Sequence, residues 1–362
     1  MRARRNGSSA PWARVRGQRL VGRKAEKGLD EALSMLVEGK ALGADGAEAA
    51  LRQVLHGADE RQTAALLAML HQKGESGSEL AGLARALSRE AVHLHAHNAV
   101  DIVGTGGDSA GTVNISTGSA VVAAAAGTPI AKHGNRSVSS RSGSADVLES
   151  LGVRIDLDPP SVEDCFSTLG LCFMFAPIFH PAMASVRPIR KALGIRTAFN
   201  LLGPLTNPAS VKRAVLGVYS PEAMELMASA ALELGFERAL VVHSNGMDEL
   251  SPTASATVLD ASVSGTAERH IIPEDMGIQR CSLEDLQGNG PEQSASMLHD
   301  AICGHEGAVF EALAMNAGAA VFVNEQASTL REGADAAKEA MVSGRAMTLL
   351  QRWADRTQAL EV

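Results

Sequence analysis

Residues 101–127 read DIVGTGGDSAGTVNISTGSAVVAAAAG: a short apolar run, a glycine-rich polar turn, then a run of small helix-forming residues. DIVG (101–104) is strand-like and SAVVAAAAG (119–127) is a helix slim enough to pack closely. Strand, turn and helix in that order form the repeating unit of an α/β sheet. Further along, VRIDL (153–157) and RALVVH (238–243) have the texture of strands, the second a buried one. Before it, Ser220 is placed to cap a helix with Pro221 at the first helical position, and MELMASAALELG ends on Gly235. Strands separated by helices of this length predict a large α/β domain whose central sheet is mostly parallel and flanked by helices.

Upstream of that domain the pattern is helical. Leu29, Leu33 and Leu36 recur at helical spacing, as do Leu66, Leu67 and Leu70, and Asp59 can cap a helix that ends near Gly74. Residues 27–93 thus read as a small helical domain and 98–355 as the α/β domain, with part of 180–212 packing on the helices. HLHAH (93–97) alternates three histidines, but it lies at a helix-to-strand junction and supplies no further ligand, so a metal role is not expected there. Residues 1–26 read as a basic extension. Met1 to Lys24 holds seven arginines and one lysine with no acid. Such a segment is a disordered tail, an early start codon or a transit peptide. The expected compartment is the cytoplasm, or the plastid stroma if residues 1–24 are a transit peptide.

Over 362 residues the chain is 45% hydrophobic, 20% charged and only 3% aromatic, so its core is aliphatic. The net charge of −8 argues against a general nucleic-acid or anionic-membrane binder, which would need a positive field. No stretch reaches the roughly 18 apolar residues of a membrane span. Cys165, Cys172, Cys281 and Cys303 show no CxxC spacing and read as reduced thiols.

Four segments carry chemistry. The turn Gly104–Asp108 has glycines at 104, 106 and 107, followed by Thr112, Asn114, Ser116 and Thr117 ahead of a helix. Backbone N–H groups there can approach a ligand closely and a helix N-terminus adds positive potential, which suits phosphate. The sequence is neither GxGxxG with a ribose-binding acid nor GxxxxGK[ST], so the two common nucleotide loops do not fit. KHGNRSVSSRSGSADVLE (132–149) concentrates Lys132, Arg136 and short donors from Asn135, Ser137, Ser139 and Ser140, with glycines 134 and 143; either an anion cradle or a polar loop capped by Ser144 would look so. GMDEL (246–250) puts Asp248 and Glu249 just past a buried strand, where open α/β sheets bind ligands and where hard oxygen donors suit Mg²⁺. Finally, 180–208 sets Arg187, Arg190, Lys191 and Arg196 among apolar residues beside Asn200 and Asn207, a setting for a carboxylate. Together the four point to a polyphosphate with Mg²⁺ and a carboxylate-bearing second ligand.

In order along residues 28–355, DIVGTGGD, NIST, KHGNRSVSSRSGSADVLE, HPAM, RKALG, FNLLGPLTNP, GMDE and NAGAA (316–320) resemble the anthranilate phosphoribosyltransferases of tryptophan biosynthesis. The resemblance implies transfer of phosphoribosyl from phosphoribosyl pyrophosphate to the amine of anthranilate. It implies a pyrophosphate and phosphoribosyl site of Gly104, Gly107, Asp108, Thr112, Asn114, Ile115, Ser116, Thr117, Lys132, His133, Gly134, Asn135, Arg136, Ser137, Val138, Ser139, Ser140 and Ser144. Anthranilate would meet Gly104, Asn135 and Arg190, the arginine facing its carboxylate. Two Mg²⁺ ions are implied, with Ser116, Asp248 and Glu249 as ligands, and a homodimer joined through the helical domain. No nucleic acid or membrane partner is implied. Because an aromatic amine is already neutral, no catalytic acid or base is nominated, and His133 and His180 are expected to shape the site.

Two departures from the family pattern stand out. VVHSNGMDE is one residue shorter than the common bacterial form, and Ser294 replaces a usual Asn. A pyrimidine nucleoside phosphorylase shares the fold but would need no second metal on a DE pair; the NIST run and Arg190 favour the transferase. A non-catalytic nucleic-acid-binding paralogue would lose the DE pair or Arg190 and gain a basic surface.

Overall fold

A computed structural model describes residues 28–137 and 142–360. The N-terminal helices are α1 (Gly28–Val37), α2 (Gly43–Leu55), α3 (Glu60–Lys73) and α4 (Gly77–Arg89). They form because Leu29, Ala32 and Leu36 on α1 and Leu66, Leu67 and Leu70 on α3 all turn inward at helical spacing. Asp59 caps α3, accepting from the backbone N–H of Arg61 at 2.9 Å, and Gly74 ends it at φ +85°. The fully buried Glu79 knots three helix ends together. Its carboxylate completes a capping box with Ser76 at the start of α4, accepts from the Leu42 N–H at the entrance of α2 (2.9 Å), and pairs with Lys73 at the end of α3 (2.8 Å).

The larger body begins with β1 (Val100–Gly104), α5 (Ile115–Ala125), β2 (Ile130–Gly134), α6 (Ser144–Ser150), α7 (Pro159–Leu169) and β3 (Leu171–Phe175). The chain then crosses back through α8 (Ala176–Phe179), α9 (Arg187–Leu193) and α10 (Phe199–Leu202) to β4 (Arg213–Gly217), α11 (Glu222–Glu233) and β5 (Arg238–His243). A hairpin, β6 (Ala256–Ser262) and β7 (Gly265–Ile271), precedes α12 (Pro291–Ile302), α13 (Ala308–Val323), α14 (Leu330–Val342) and α15 (Arg345–Ala359). The sheet order is β3-β2-β1-β4-β5-β6-β7, with the first five strands parallel and the last two antiparallel. A small helical domain and a larger α/β domain with a mostly parallel sheet are therefore both present. The parallel strands are short and largely buried, as helices on either side require, and they carry the buried polar residues Asp101, Lys132 and His133 within them.

Three local expectations need correction. VRIDL is not a strand: Val153, Ile155 and Leu157 are buried in alternation, but the Arg154 N–H donates to Thr357 Oγ1 of α15 (3.0 Å) instead of to a neighbouring strand. The helix expected from Pro221 begins one residue later, at Glu222. Ser144 is the first residue of α6 and not its cap; the N-cap is Gly143, whose N–H is satisfied by Asp146 at 3.0 Å. Among the described residues, no helix is long and apolar enough to cross a membrane. All four cysteines are free thiols.

The crossover between β3 and β4 decides where the site lies. From β1 the chain moves to β2 and β3 on one side, then returns to β4 on the other, so the loops leaving β1 and β4 diverge. A crevice opens there beyond the strand ends, the position at which open α/β sheets take their ligands. The crossover itself leans on the helical domain, α9 against α3 and α10 against α4.

Candidate active site

Two glycines at the ends of the neighbouring strands β1 and β4 make room for one carboxylate. A Cβ on Gly104 would stand 2.2 Å from Asp248 Oδ2, and one on Gly217 would stand 1.5 Å from the Asp248 backbone oxygen. Asp248 therefore seats itself in the crevice mouth. Its Oδ2 accepts from the Gly106 N–H at 2.5 Å, which fastens the glycine turn to the DE segment. Gly106 and Gly107 have φ of +72° and +78°, conformations that favour glycine. The next residue, Glu249, accepts from the Ser116 N–H at 3.0 Å, so it sits on the N-terminal end of α5.

Lys132 completes the cluster from β2. Its buried ammonium donates to the Ile102 carbonyl (2.7 Å) and to Ser116 Oγ (3.3 Å). Burial pushes the Lys132 pKa down, and Asp101, Glu249 and Asp248 partly restore it. Burial likewise raises Asp248 to about 7, with the Asp108 carboxylate adding repulsion, and holds Glu249 well above the usual carboxylate range for the same two kinds of reason. Buried carboxylates crowded this closely are relieved by a cation. Among the described residues, no three His, Cys, Asp or Glu donors converge into a self-contained metal cage. Mg²⁺ takes one or two carboxylates and leaves its other positions to water and phosphate oxygens, so Asp248 and Glu249 are donors of the kind it uses.

Several supporting residues carry no recognisable signal in the sequence. Asn316 of α13 holds the backbone of Leu250 from both ends, accepting its N–H at 3.1 Å and donating to its carbonyl at 2.7 Å, and so fixes the segment after Glu249. NAGAA marks the position, but nothing local tells that its amide is spent on the DE loop. On the other flank His243 donates from Nδ1 to the Val218 carbonyl (2.8 Å) and accepts the Gly246 N–H on Nε2 (3.1 Å), bracing the SNGM turn. Asp101 lies below Lys132 and takes a bond from Asn207 Nδ2 at 2.7 Å; burial raises its pKa to about 6.

Other expected site residues fall into distinct settings. Asn114 precedes α5 and donates to the Ser142 carbonyl (3.2 Å), while its buried Oδ1 and the Thr117 hydroxyl have no partner among the described residues. Ile115 is wholly buried, so only its backbone can serve a ligand. Thr112 pairs with Gln287. Arg136 is turned aside: its guanidinium binds Asp146 (2.9 Å) and Glu149 (2.8 Å) and lies 5.6 Å over the Phe175 ring. Asn135 and Gly134 stand at the end of β2, and the Ser137 N–H donates to Asp146 at 3.1 Å. Val138, Ser139 and Ser140 lie outside the described residues. His133 and His180 are buried with ring centroids 5.0 Å apart; burial lowers both, His133 to about 3, so both rings are neutral. His180 Nε2 pairs with the Thr206 carbonyl at 2.9 Å. Ser294 is buried with its hydroxyl unpaired among the described residues, and its Oγ would be 2.6 Å from a Cβ on Gly288, so Gly288 leaves room for it.

Arg190 stands apart on the last turn of α9. It is half-buried, lies 5.1 Å over the Phe199 ring, and has no carboxylate partner among the described residues. Burial, with Arg187 nearby, lowers its pKa, yet an arginine stays charged. Such a cation is a ready seat for a ligand carboxylate.

Models of a glycosyl transferase family match the chain in two parts, the helical bundle domain over residues 30–91 and the a/b domain over 96–347. The anthranilate phosphoribosyltransferase of Rubrobacter xylanophilus is 45% identical over 329 residues, 90% of this chain and 96% of that protein. The chain belongs to the anthranilate phosphoribosyltransferase family. The member from Thermus thermophilus has a solved structure that superposes with a TM-score of 0.86 at 42% identity, covering 91% of this chain and 99% of the other. A family member from Saccharomyces cerevisiae, solved in complex with PRPP and Mg, matches with a TM-score of 0.84 at 28% identity over 93% of this chain and 99% of its own. The same yeast enzyme has been solved in complex with 4-fluoroanthranilate.

Proposed function

We propose that the chain transfers phosphoribosyl from 5-phosphoribosyl 1-pyrophosphate to the amine of anthranilate in tryptophan biosynthesis, a cytoplasmic role. The observation that carries this reading is the joining of the glycine turn, the α5 N-terminus, Lys132 and the Asp248–Glu249 pair at one crevice. Gly104, Gly107 and Asp108 would meet the pyrophosphate, with Thr112, Asn114 and Thr117 beside them, while the Gly106 and Ser116 N–H groups hold Asp248 and Glu249 in place. Lys132 and the segment Gly134–Ser140, with Ser144, would line the phosphoribosyl group. Asp248, Glu249 and the Ser116 hydroxyl would hold two Mg²⁺ ions, which supply charge to offset that growing on the leaving pyrophosphate.

The bond from the anomeric carbon to the pyrophosphate oxygen breaks and the bond to the anthranilate nitrogen forms. The amine then loses one proton to solvent. Preorganised N–H donors at the crevice stabilise the departing oxygens, and positioning the neutral amine supplies much of the remaining acceleration. Neutral His133 and His180 are packed inside and hold their places without exchanging protons. Arg190 would take the anthranilate carboxylate and Asn135 the acceptor's other edge. The domain limits 27–93 and 98–355 and a homodimer formed through the helical domain belong to the same proposal.

Loss of anthranilate fluorescence in the presence of phosphoribosyl pyrophosphate and Mg²⁺ tests it; folded protein without turnover would overturn the reading. Arg190→Ala should raise the KM for anthranilate far more than that for phosphoribosyl pyrophosphate. Asp248→Asn with Glu249→Gln should move the Mg²⁺ dependence of the rate, and an unmoved profile would remove the pair from the metal site.

A further inference from the structure

Arg196 has no carboxylate partner among the described residues, yet it is not idle. Its guanidinium donates to the carbonyl oxygen of Gly107 and lies 3.9 Å from the ring centroid of Tyr219, the only tyrosine of the chain. These contacts join three separate segments: the glycine turn after β1, the loop after β4, and the crossover that carries Arg190. Because Gly107 has no side chain, the fork approaches its backbone closely; a Cβ there would be 3.3 Å from Arg196 Nη2.

The turn is thus held from both sides. Asp248 grips the N–H of Gly106 and Arg196 grips the C=O of Gly107. A trans peptide places C=O and the next N–H in opposite directions. Fixing the Gly107 carbonyl on Arg196 therefore turns the Asp108 N–H away from Arg196. Gly106, Gly107, Ser109 and Gly111 all stand at positive φ, so these two contacts hold a backbone conformation that most residues avoid.

The same arginine is tethered to the acceptor segment. Gly194, at φ +63°, ends α9 by donating to the Arg190 carbonyl at 3.3 Å, and the chain then departs to Arg196. Arg190 and Arg196 flank one helix cap and reach in different directions, one over Phe199 and the other to the glycine turn. We infer that Arg196 is a positioning residue that holds the pyrophosphate turn in its binding conformation and couples donor binding to acceptor binding. A carboxylate that orders Arg190 orders the cap, and the cap aims Arg196. This inference rests on the transferase reading.

Arg196→Ala and Arg196→Lys, with Tyr219→Leu as a variant that removes the stacking surface alone, separate it from a purely structural role. In the alanine variant the KM for phosphoribosyl pyrophosphate should rise about tenfold or more, while that for anthranilate at saturating donor rises by the lost coupling factor, about fivefold; lysine should recover only part. Coupling is read without turnover, from calorimetric Kd values of Mg²⁺-pyrophosphate with and without saturating anthranilate. The wild-type protein should bind pyrophosphate at least about fivefold tighter with anthranilate present, within the usual range of such couplings, and Arg196→Ala should bring that ratio to one. A donor KM within twofold of wild type in Arg196→Ala, or a wild-type ratio already at one, overturns the inference. Absence of turnover by the wild-type protein would instead overturn the transferase reading itself.

Discussion

Gly217 and Gly104 show how a residue chosen for what it lacks can set a site. From the sequence, the glycines of the first turn look like openings for a ligand. In the fold, Gly104 and Gly217 are openings for Asp248, whose backbone oxygen would lie 1.5 Å from a Cβ at 217. Gly217→Ala must therefore push the DE segment out of the crevice, because the atom it meets is backbone and cannot rotate away. Displacement of an aligned group by about 1 Å costs on the order of 100-fold in rate, and that is the loss expected in kcat/KM for Gly217→Ala. Gly106→Ala is the contrasting case. Nothing lies within 4 Å of its Cβ, so the change brings only the strain of φ +72°, about 1–2 kcal/mol. Steady-state kinetics on the two variants, with circular dichroism to confirm folding, should rank them in that order; equal losses would remove the steric account of Asp248. Gly217 could not be singled out beforehand, because the clash is with a residue some thirty positions away.

Among the elements, the knot at Glu79 shows the same limit. Helix periodicity makes α1 and α3 legible, and Asp59 and Gly74 mark the ends of α3, since those signals are local. Glu79 looks like an ordinary surface acid until three helix ends meet around it. Burial alone would raise its pKa, but Lys73, the Leu42 and Ser76 N–H groups and the Ser76 hydroxyl outweigh it and leave the carboxyl below its ordinary value. A depressed carboxylate stabilises the fold above its unfolded pKa and loses that contribution as pH falls through its folded value, so this term fades only below about pH 4. Glu79→Ala strands buried donors on α2, α3 and α4 and should cost about 3–5 kcal/mol in denaturant melts at pH 7. A loss under 1 kcal/mol would mean that the helix ends find other partners. Strands are less legible for a related reason. VRIDL has the right alternation, but α15 supplies its partner; the hairpin β6–β7 leaves little trace because β7 (GTAERHI) is almost wholly exposed and lacks an apolar face.

Across the whole molecule, the crossover 176–212 locks the helical domain to the sheet, and two histidines lie at that lock. The Val92 N–H donates to the Phe179 carbonyl (2.8 Å) and the Leu94 N–H to the Pro208 carbonyl (3.2 Å), so the linker between domains runs along the crossover. Beneath it His133, at the end of β2, faces His180, which is tied to Thr206. Both are neutral in the fold because burial opposes their charge, and a neighbouring histidine opposes it further in each case. The sign follows directly. In the unfolded chain a histidine takes up its proton near pH 6.5, whereas folded His133 resists until about 3, so the unfolded state binds more protons between those values. Stability is whole above about pH 6.5 and falls as pH drops, by about 1.4 kcal/mol per unit for His133 alone once well below it. His133→Phe removes that proton uptake together with the ring's bond to the Gly203 backbone, while Nε2 of the native ring has no partner among the described residues. Chemical denaturation at pH 7.5 and pH 5.5 should then show the wild type losing about 1.4 kcal/mol more than the variant over that interval. If both proteins lose the same amount, His133 is already protonated in the folded state and the closed packing of the crossover on the sheet is not what keeps it neutral.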